Sequence, residues 1–238
     1  MSDVNLLYKP SYQINDAIKI MIPSVGEVYD NEDEYYNAIT AITASPIDLM
    51  VQLDDVGIDY TSINDYELFL ILFGGLASQD TSLIFGDLDL TKFELALNPE
   101  NGAVVMMDVE NNIIIDRSIH SQIASTLRKI HHLKRNRRKP ANDEAKEYMM
   151  KRAREKLARH KNKPFESQLE PLIVALVNTE QFKYDFESTR GISIYQFNKS
   201  VRQIIKKVDY DNMMHGVYAG TVDPKGLSSD ALNWLTHK

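Results

Sequence analysis

Apolar residues along this chain recur at two periods, and the period changes with position. The segment "AIKIMIP" packs apolar positions from Ile18 to Ile22 ahead of a proline, which predicts a short strand ending at Pro23. Ser24 followed by Glu27 has capping-box spacing, so a short helix is predicted to start there. Asn31 with Glu34 predicts a second start, ahead of Tyr35, Ala38, Ile39 and Ile42 at helical spacing. Ser45-Pro46 predicts a third, with proline at a helical position that loses no hydrogen bond, and Gly57 as its end. A fourth opens near Asn64 and carries the run Leu68–Phe73, which Gly74-Gly75 is predicted to stop.

The pattern then shortens. In "KFELALNPENGAVVMMDVENNIIID" brief apolar runs alternate with turn clusters, which predicts an antiparallel meander over 93–97, 103–107 and 113–115. Helical spacing returns with Ile119, Ile123, Leu127 and Ile130, and Lys139-Pro140 is predicted to break whatever helix arrives from there. Asn142 restarts a helix with acids in its first turn and bases in its last. Its narrow apolar stripe is Ala145, Met149, Ala153 and Leu157, flanked by Tyr148 and Met150. Ser167/Glu170 and Ser193/Gln196 are further capping boxes. The second opens a long helix with Ile194, Phe197, Val201, Ile204, Ile205 and Val208 predicted inward, and Trp234 is expected to close the core behind it. The expected fold class is α+β, predominantly helical.

Charge divides the same chain into three. Residues 1–115 hold 20 acids and three bases, Lys9, Lys19 and Lys92, a net of −17. Residues 128–163 hold 15 bases and four acids, a net of +11, and the remainder from 164 is close to neutral. Such asymmetry marks modules or interaction surfaces. The expected organisation is an acidic α+β module over 1–127, a basic amphipathic linker helix over 128–164 and a helical C-terminal module over 165–238. The acidic front and basic middle could also neutralise each other. An acidic front beside a basic tract repels DNA and lowers the gain from counterion release, which makes nucleic acid the less favoured partner.

Chemistry-bearing patterns are sparse. There is no cysteine, so disulfides, Cys-ligated zinc and thiol catalysis are excluded. His131-His132 are neighbours whose side chains diverge on a helix, a poor metal pair. Asp87 and Asp89 are more simply turn caps than a magnesium site, and Gly74-Gly75 lacks the Lys-Ser/Thr of a phosphate loop. The expectation is therefore no enzyme, no cofactor and no metal. Without a signal peptide or a long apolar span, a cytoplasmic protein without membrane attachment is expected.

The order of several phrases resembles a family of tail-morphogenesis proteins encoded by tailed bacteriophages of Gram-positive bacteria. These are "IPSVGEVYD", "DLMVQLDDVGIDY" leading to "DYELFLILF", the meander, the Lys/Arg-rich helix, "LEPLIVALVN", "ISIYQFNKSVRQI" and the closing "GVYAGTVDPKGLSSDALNWL". The resemblance implies a tail assembly chaperone that transiently binds the tape measure protein or a tail tube component in the host cytoplasm. A virion component, a nucleic-acid-binding accessory factor and self-association stay open beside it. The docking surface expected for such a partner is the seam of the basic helix: Tyr148, Met149, Met150, Ala153 and Leu157, with Arg152, Arg154 and Lys156 beside it.

Overall fold

A computed structural model of the 238-residue chain describes residues 5–98, 102–160, 164–229 and 231–235. The fold is α+β and predominantly helical, with two small antiparallel sheets among the described residues. Strands β1 (Ser11–Gln13) and β2 (Lys19–Met21) form a hairpin that pairs Tyr12 with Ile20. After Pro23, helix α1 (Val25–Asp30) starts on the predicted capping box. The Ser24 hydroxyl accepts from the Glu27 N–H (3.2 Å), and the Glu27 carboxylate accepts from the Ser24 N–H (2.7 Å).

Helix α2 (Glu32–Thr43) buries Tyr35, Ala38, Ile39 and Ile42 as its spacing requires. Asn31 stands at its start, but its side-chain amide donates back to the Glu27 carbonyl (3.1 Å) and closes α1 instead of capping α2. A 3-10 turn (Pro46–Leu49) leads into α3 (Met50–Asp55), and the chain leaves it through Gly57 in a left-handed conformation, φ +77°.

Helix α4 (Asp65–Ala77) runs straight through Gly74-Gly75. This corrects the predicted stop. Two glycines cost about 2 kcal/mol of helix propensity, but Phe73 and Leu76 on either side are buried, and that burial outweighs the cost. Helix α5 (Ser82–Phe85) follows, and then the meander appears as β3 (Glu94–Leu97), β4 (Val104–Asp108) and β5 (Ile113–Ile115), in that spatial order.

Helix α6 (Arg117–His131) presents Ile123, Leu127 and Ile130 to the core. It ends at His132, which takes φ +54°, well before Lys139-Pro140. The Leu133 N–H closes the turn on the Arg128 carbonyl (2.9 Å). Residues 133–140 then carry no regular structure before α7 (Asp143–His160). The basic tract expected as one linker helix over 128–164 is thus a helix end, an irregular segment and a second helix. Residues 161–163 of it lie outside the described residues.

The C-terminal third comprises α8 (Leu169–Val177), α9 (Phe186–Gly191) and α10 (Ile194–Tyr218). Leu169, Leu176, Phe182, Ile194 and Phe197 belong to the same core cluster as Ile20, Val28, Ile39, Phe85 and Ile123. Two features weld it to the front. The Ile194 N–H donates to the Pro23 carbonyl and the Val25 N–H to the Ile192 carbonyl (2.8 Å each), so the capped starts of α1 and α10 face each other. Glu32, only 5% exposed, accepts from the Gln168 N–H (2.7 Å), the Leu169 N–H (2.9 Å) and the Ser167 hydroxyl (2.5 Å), so the front supplies the cap of α8.

Past Phe197, α10 leaves the core. Val201 and Ile204 are half-buried, whereas Ile205 and Val208, expected inward, are exposed. The tail folds back along the helix at Gly216, where an added Cβ would stand 2.8 Å from Val222. Trp234 does not close the core. It lies along α10, its carbonyl accepting from the Gln203 amide (2.9 Å) and its ring 5.5 Å from the Lys207 ammonium. Among the described residues no helix is long and apolar enough to cross a membrane.

Candidate docking surfaces

Helix α7 lies over the acidic front. Arg154 pairs with Asp54 (2.5 Å) and Asp55 (2.8 Å) of α3, and Lys146 with Asp59 (2.6 Å). In the preceding segment Arg135 reaches Asp65 (2.8 Å), and the Asn136 amide donates to Asp48 (2.9 Å). The opposite charges of front and middle therefore meet within one chain. Each exposed pair is worth only about 0–1 kcal/mol, so the pairs set orientation more than stability.

The apolar seam explains the rest. Met149 and Met150 pack on a second, smaller core of Ala44, Ile47, Leu53, Tyr60 and Leu68. Tyr148 and Leu157 stay exposed, and Ala153 is half-buried. The Arg152 guanidinium lies 5.8 Å from the centroid of the Tyr148 ring. Ala153, Lys156 and Leu157 line a shallow groove with Met50 and Val51. Of the eight residues expected to form one docking seam, Met149, Met150 and Arg154 thus engage the chain itself. Tyr148, Arg152 and Leu157 stay exposed on its outer edge, with Ala153 and Lys156 beside them along the groove.

A second surface escaped the sequence reading. Helices α1, α8 and α9 enclose an apolar groove of about 270 Å³ lined by Val25, Tyr29, Ile173, Val174 and Phe186. Its lips are bare: Val174 is 46% exposed and Phe186 54%. The floor is held by the close approach of α1 and α9. A Cβ on Gly26 would stand 3.2 Å from Arg190, whose guanidinium pairs with Asp30 (2.6 Å). Glu170 stands at one end, its carboxylate accepting from the Tyr29 hydroxyl (3.5 Å). The one signal for it in the sequence is that "LEPLIVALV" is apolar nearly all round, so a single buried face cannot consume it.

The polar groups buried between these surfaces serve packing. The His120 ring stacks on Phe69 with centroids 4.4 Å apart, and its Nε2–H donates to the Ile42 carbonyl (3.0 Å). Burial pushes its pKa down to about 4. His131 Nε2 lies 2.9 Å from the Tyr35 hydroxyl, and burial lowers this imidazole to about 4 as well. Burial likewise drives the Tyr35 phenol upward. Asp87 pairs with Lys19 (3.5 Å), and Asp89 caps the 3-10 turn Leu90–Lys92 through the Thr91 N–H (3.0 Å). Among the described residues no three His, Cys, Asp or Glu side chains converge as metal ligands do.

Burial, with Arg202 and Lys199 close by, lowers His132 to about 4 too, so three histidines set a pH dependence. Above the ordinary histidine pKa of about 6.5 both folded and unfolded chains carry neutral imidazoles, and nothing changes. Between 6.5 and 4 only the unfolded chain takes up these protons, so stability falls as pH falls. The unfolding free energy is expected to be about 3–4 kcal/mol lower at a pH near 5.5 than near 7.5. Urea titrations at the two pH values measure it, and His120→Gln should remove about a third of the difference. Equal midpoints at both pH values would contradict the neutral, buried assignment.

Residues 160–238, from the end of α7 through the tail and so including α8 and α9 of the groove, match the family model described as YomV second domain. No curated protein and no solved structure matches the chain.

Proposed function

We propose that this chain is a non-catalytic phage assembly factor, a chaperone or adaptor that transiently holds a tail protein during tail morphogenesis. The tape measure protein is the partner that fits best. It is a long helical chain that needs a holder for its apolar stripe until the tail tube surrounds it. The reading rests on one observation above all. The segment that matches the phage-associated YomV second domain is also the segment that supplies α8 and α9 to the bare apolar groove. An open groove with aromatic and aliphatic lips suits the apolar face of an amphipathic helix. The outer edge of α7, with Tyr148, Ala153 and Leu157 between Arg152 and Lys156, offers a further contact for the same partner.

Co-expression with the tape measure protein and affinity capture test this. The wild-type chain is expected to retain the tape measure. Val174→Asp is expected to retain at least about tenfold less, because a carboxylate placed on the apolar lip must be desolvated against the partner's apolar face. Val174 is half exposed, so the melting temperature should move by no more than about 2 °C. Equal capture by wild type and Val174→Asp would reject the groove as the binding surface.

A further inference from the structure

The segment 133–140 folds over a second hollow, distinct from the apolar groove and opposite to it in character. This cavity, of about 650 Å³, lies between that segment, the start of α7 and the residues around Tyr60. Its walls carry five bases (Arg135, Arg137, Arg138, Lys139 and Lys146) against two acids, Asp65 and Asp143. That is a local excess of positive charge in a chain whose net charge is −7.

The bases divide into two groups. Arg135 and Lys146 are committed, to Asp65 and Asp59. Arg137, Arg138 and Lys139 are exposed, and among the described residues no carboxylate lies within ion-pair distance of them. Of the two acids, Asp65 is already shared by Arg128 and Arg135, which leaves Asp143 as the opposing charge. Three neighbouring cations that find no partner in a chain so rich in acid repel one another, and an anion between them relieves that repulsion. Two of the three are arginines, whose planar forks match phosphate oxygens in pairs.

The remaining walls limit the size and kind of anion. Tyr60, Ile47 and Ile63 add apolar and aromatic surface beside the charges, and the buried Tyr60 hydroxyl has no hydrogen-bond partner among the described residues. The volume falls within the usual range for small-molecule sites, about 300–1,000 Å³. A long strand of nucleic acid would have to pass the front, with its net of −17, which opposes it. We infer that this cavity binds a compact phosphate-bearing molecule of nucleotide size, held by Arg137, Arg138 and Lys139.

Calorimetric titration of the full chain with tripolyphosphate at low salt tests the site. Saturable binding is expected. The double variant R137Q/R138Q should bind at least about tenfold more weakly, because each lost guanidinium removes charge-assisted hydrogen bonds. Its melting temperature should match that of wild type, since neither side chain has a partner to lose. Lys225→Gln removes a charge far along the chain and should change affinity by less than about twofold, as expected of a screened, exposed charge. No saturable binding, or a loss with Lys225→Gln equal to that of the double variant, would overturn the site. A single-stranded oligonucleotide that binds more tightly than tripolyphosphate would overturn the compact ligand in favour of a strand.

Discussion

Glu32→Ala is expected to lower the unfolding free energy by about 3–4 kcal/mol, although it deletes one acid from a run of three. Asp33 and Glu34 beside it are exposed, whereas Glu32 is buried against the start of α8. Its carboxylate accepts from two backbone N–H groups and the Ser167 hydroxyl, and it also sits at the positive end of that helix. Alanine leaves the buried Leu169 N–H without an acceptor, at about 1–3 kcal/mol, and strips the part-buried Gln168 N–H and Ser167 hydroxyl of theirs at a smaller cost. Glu32→Gln keeps one acceptor oxygen and should lose about half as much. Urea unfolding gives the free energies, and amide exchange should show α8 opening first. A free energy within about 1 kcal/mol of wild type for Glu32→Ala would mean that α8 is not held this way.

Phe197→Ala is expected to cost more, about 4 kcal/mol, with a fall in melting temperature of about 10 °C. Phe197 is fully buried at the point where α10 enters the common core, with its ring 6.5 Å from that of Phe182. Removing it opens a cavity between the C-terminal third and the front, so both should loosen in a single transition. Two separate transitions in the variant, or a change below about 1 kcal/mol, would contradict a shared core.

Where several of the helices begin was legible because caps are local chemistry. Ser24, Asn64 and Ser193 each act within three residues, and all three are capping boxes here. The stripes of α2 and α6 were legible for the same reason. What failed depended on distant partners. Gly74-Gly75 reads as a stop until the burial of Phe73 and Leu76 is known. Ile205, Val208 and Trp234 read as core until α10 is seen to run beyond it. Asn31 reads as a cap, yet another carbonyl claims it. Nothing in "NEDEYY" separates Glu32 from its neighbours, because its partners lie more than 130 residues away.

The docking surface divided in the same way. The amphipathic stripe of α7 was visible in the sequence, but which half of it meets the chain's own aspartates and second core was not. The groove under Val174 and Phe186 needed three helices to be placed together before it existed at all.

An assembly factor and a virion component differ most plainly in where the chain ends up. Quantitative mass spectrometry of a lysate in which phage particles are assembled, and of the particles purified from it, separates them. An assembly factor is expected to be abundant in the lysate, to be found there with the tape measure protein, and to be absent from finished particles. A fixed copy number in purified particles would contradict that reading and make the chain a part of the virion.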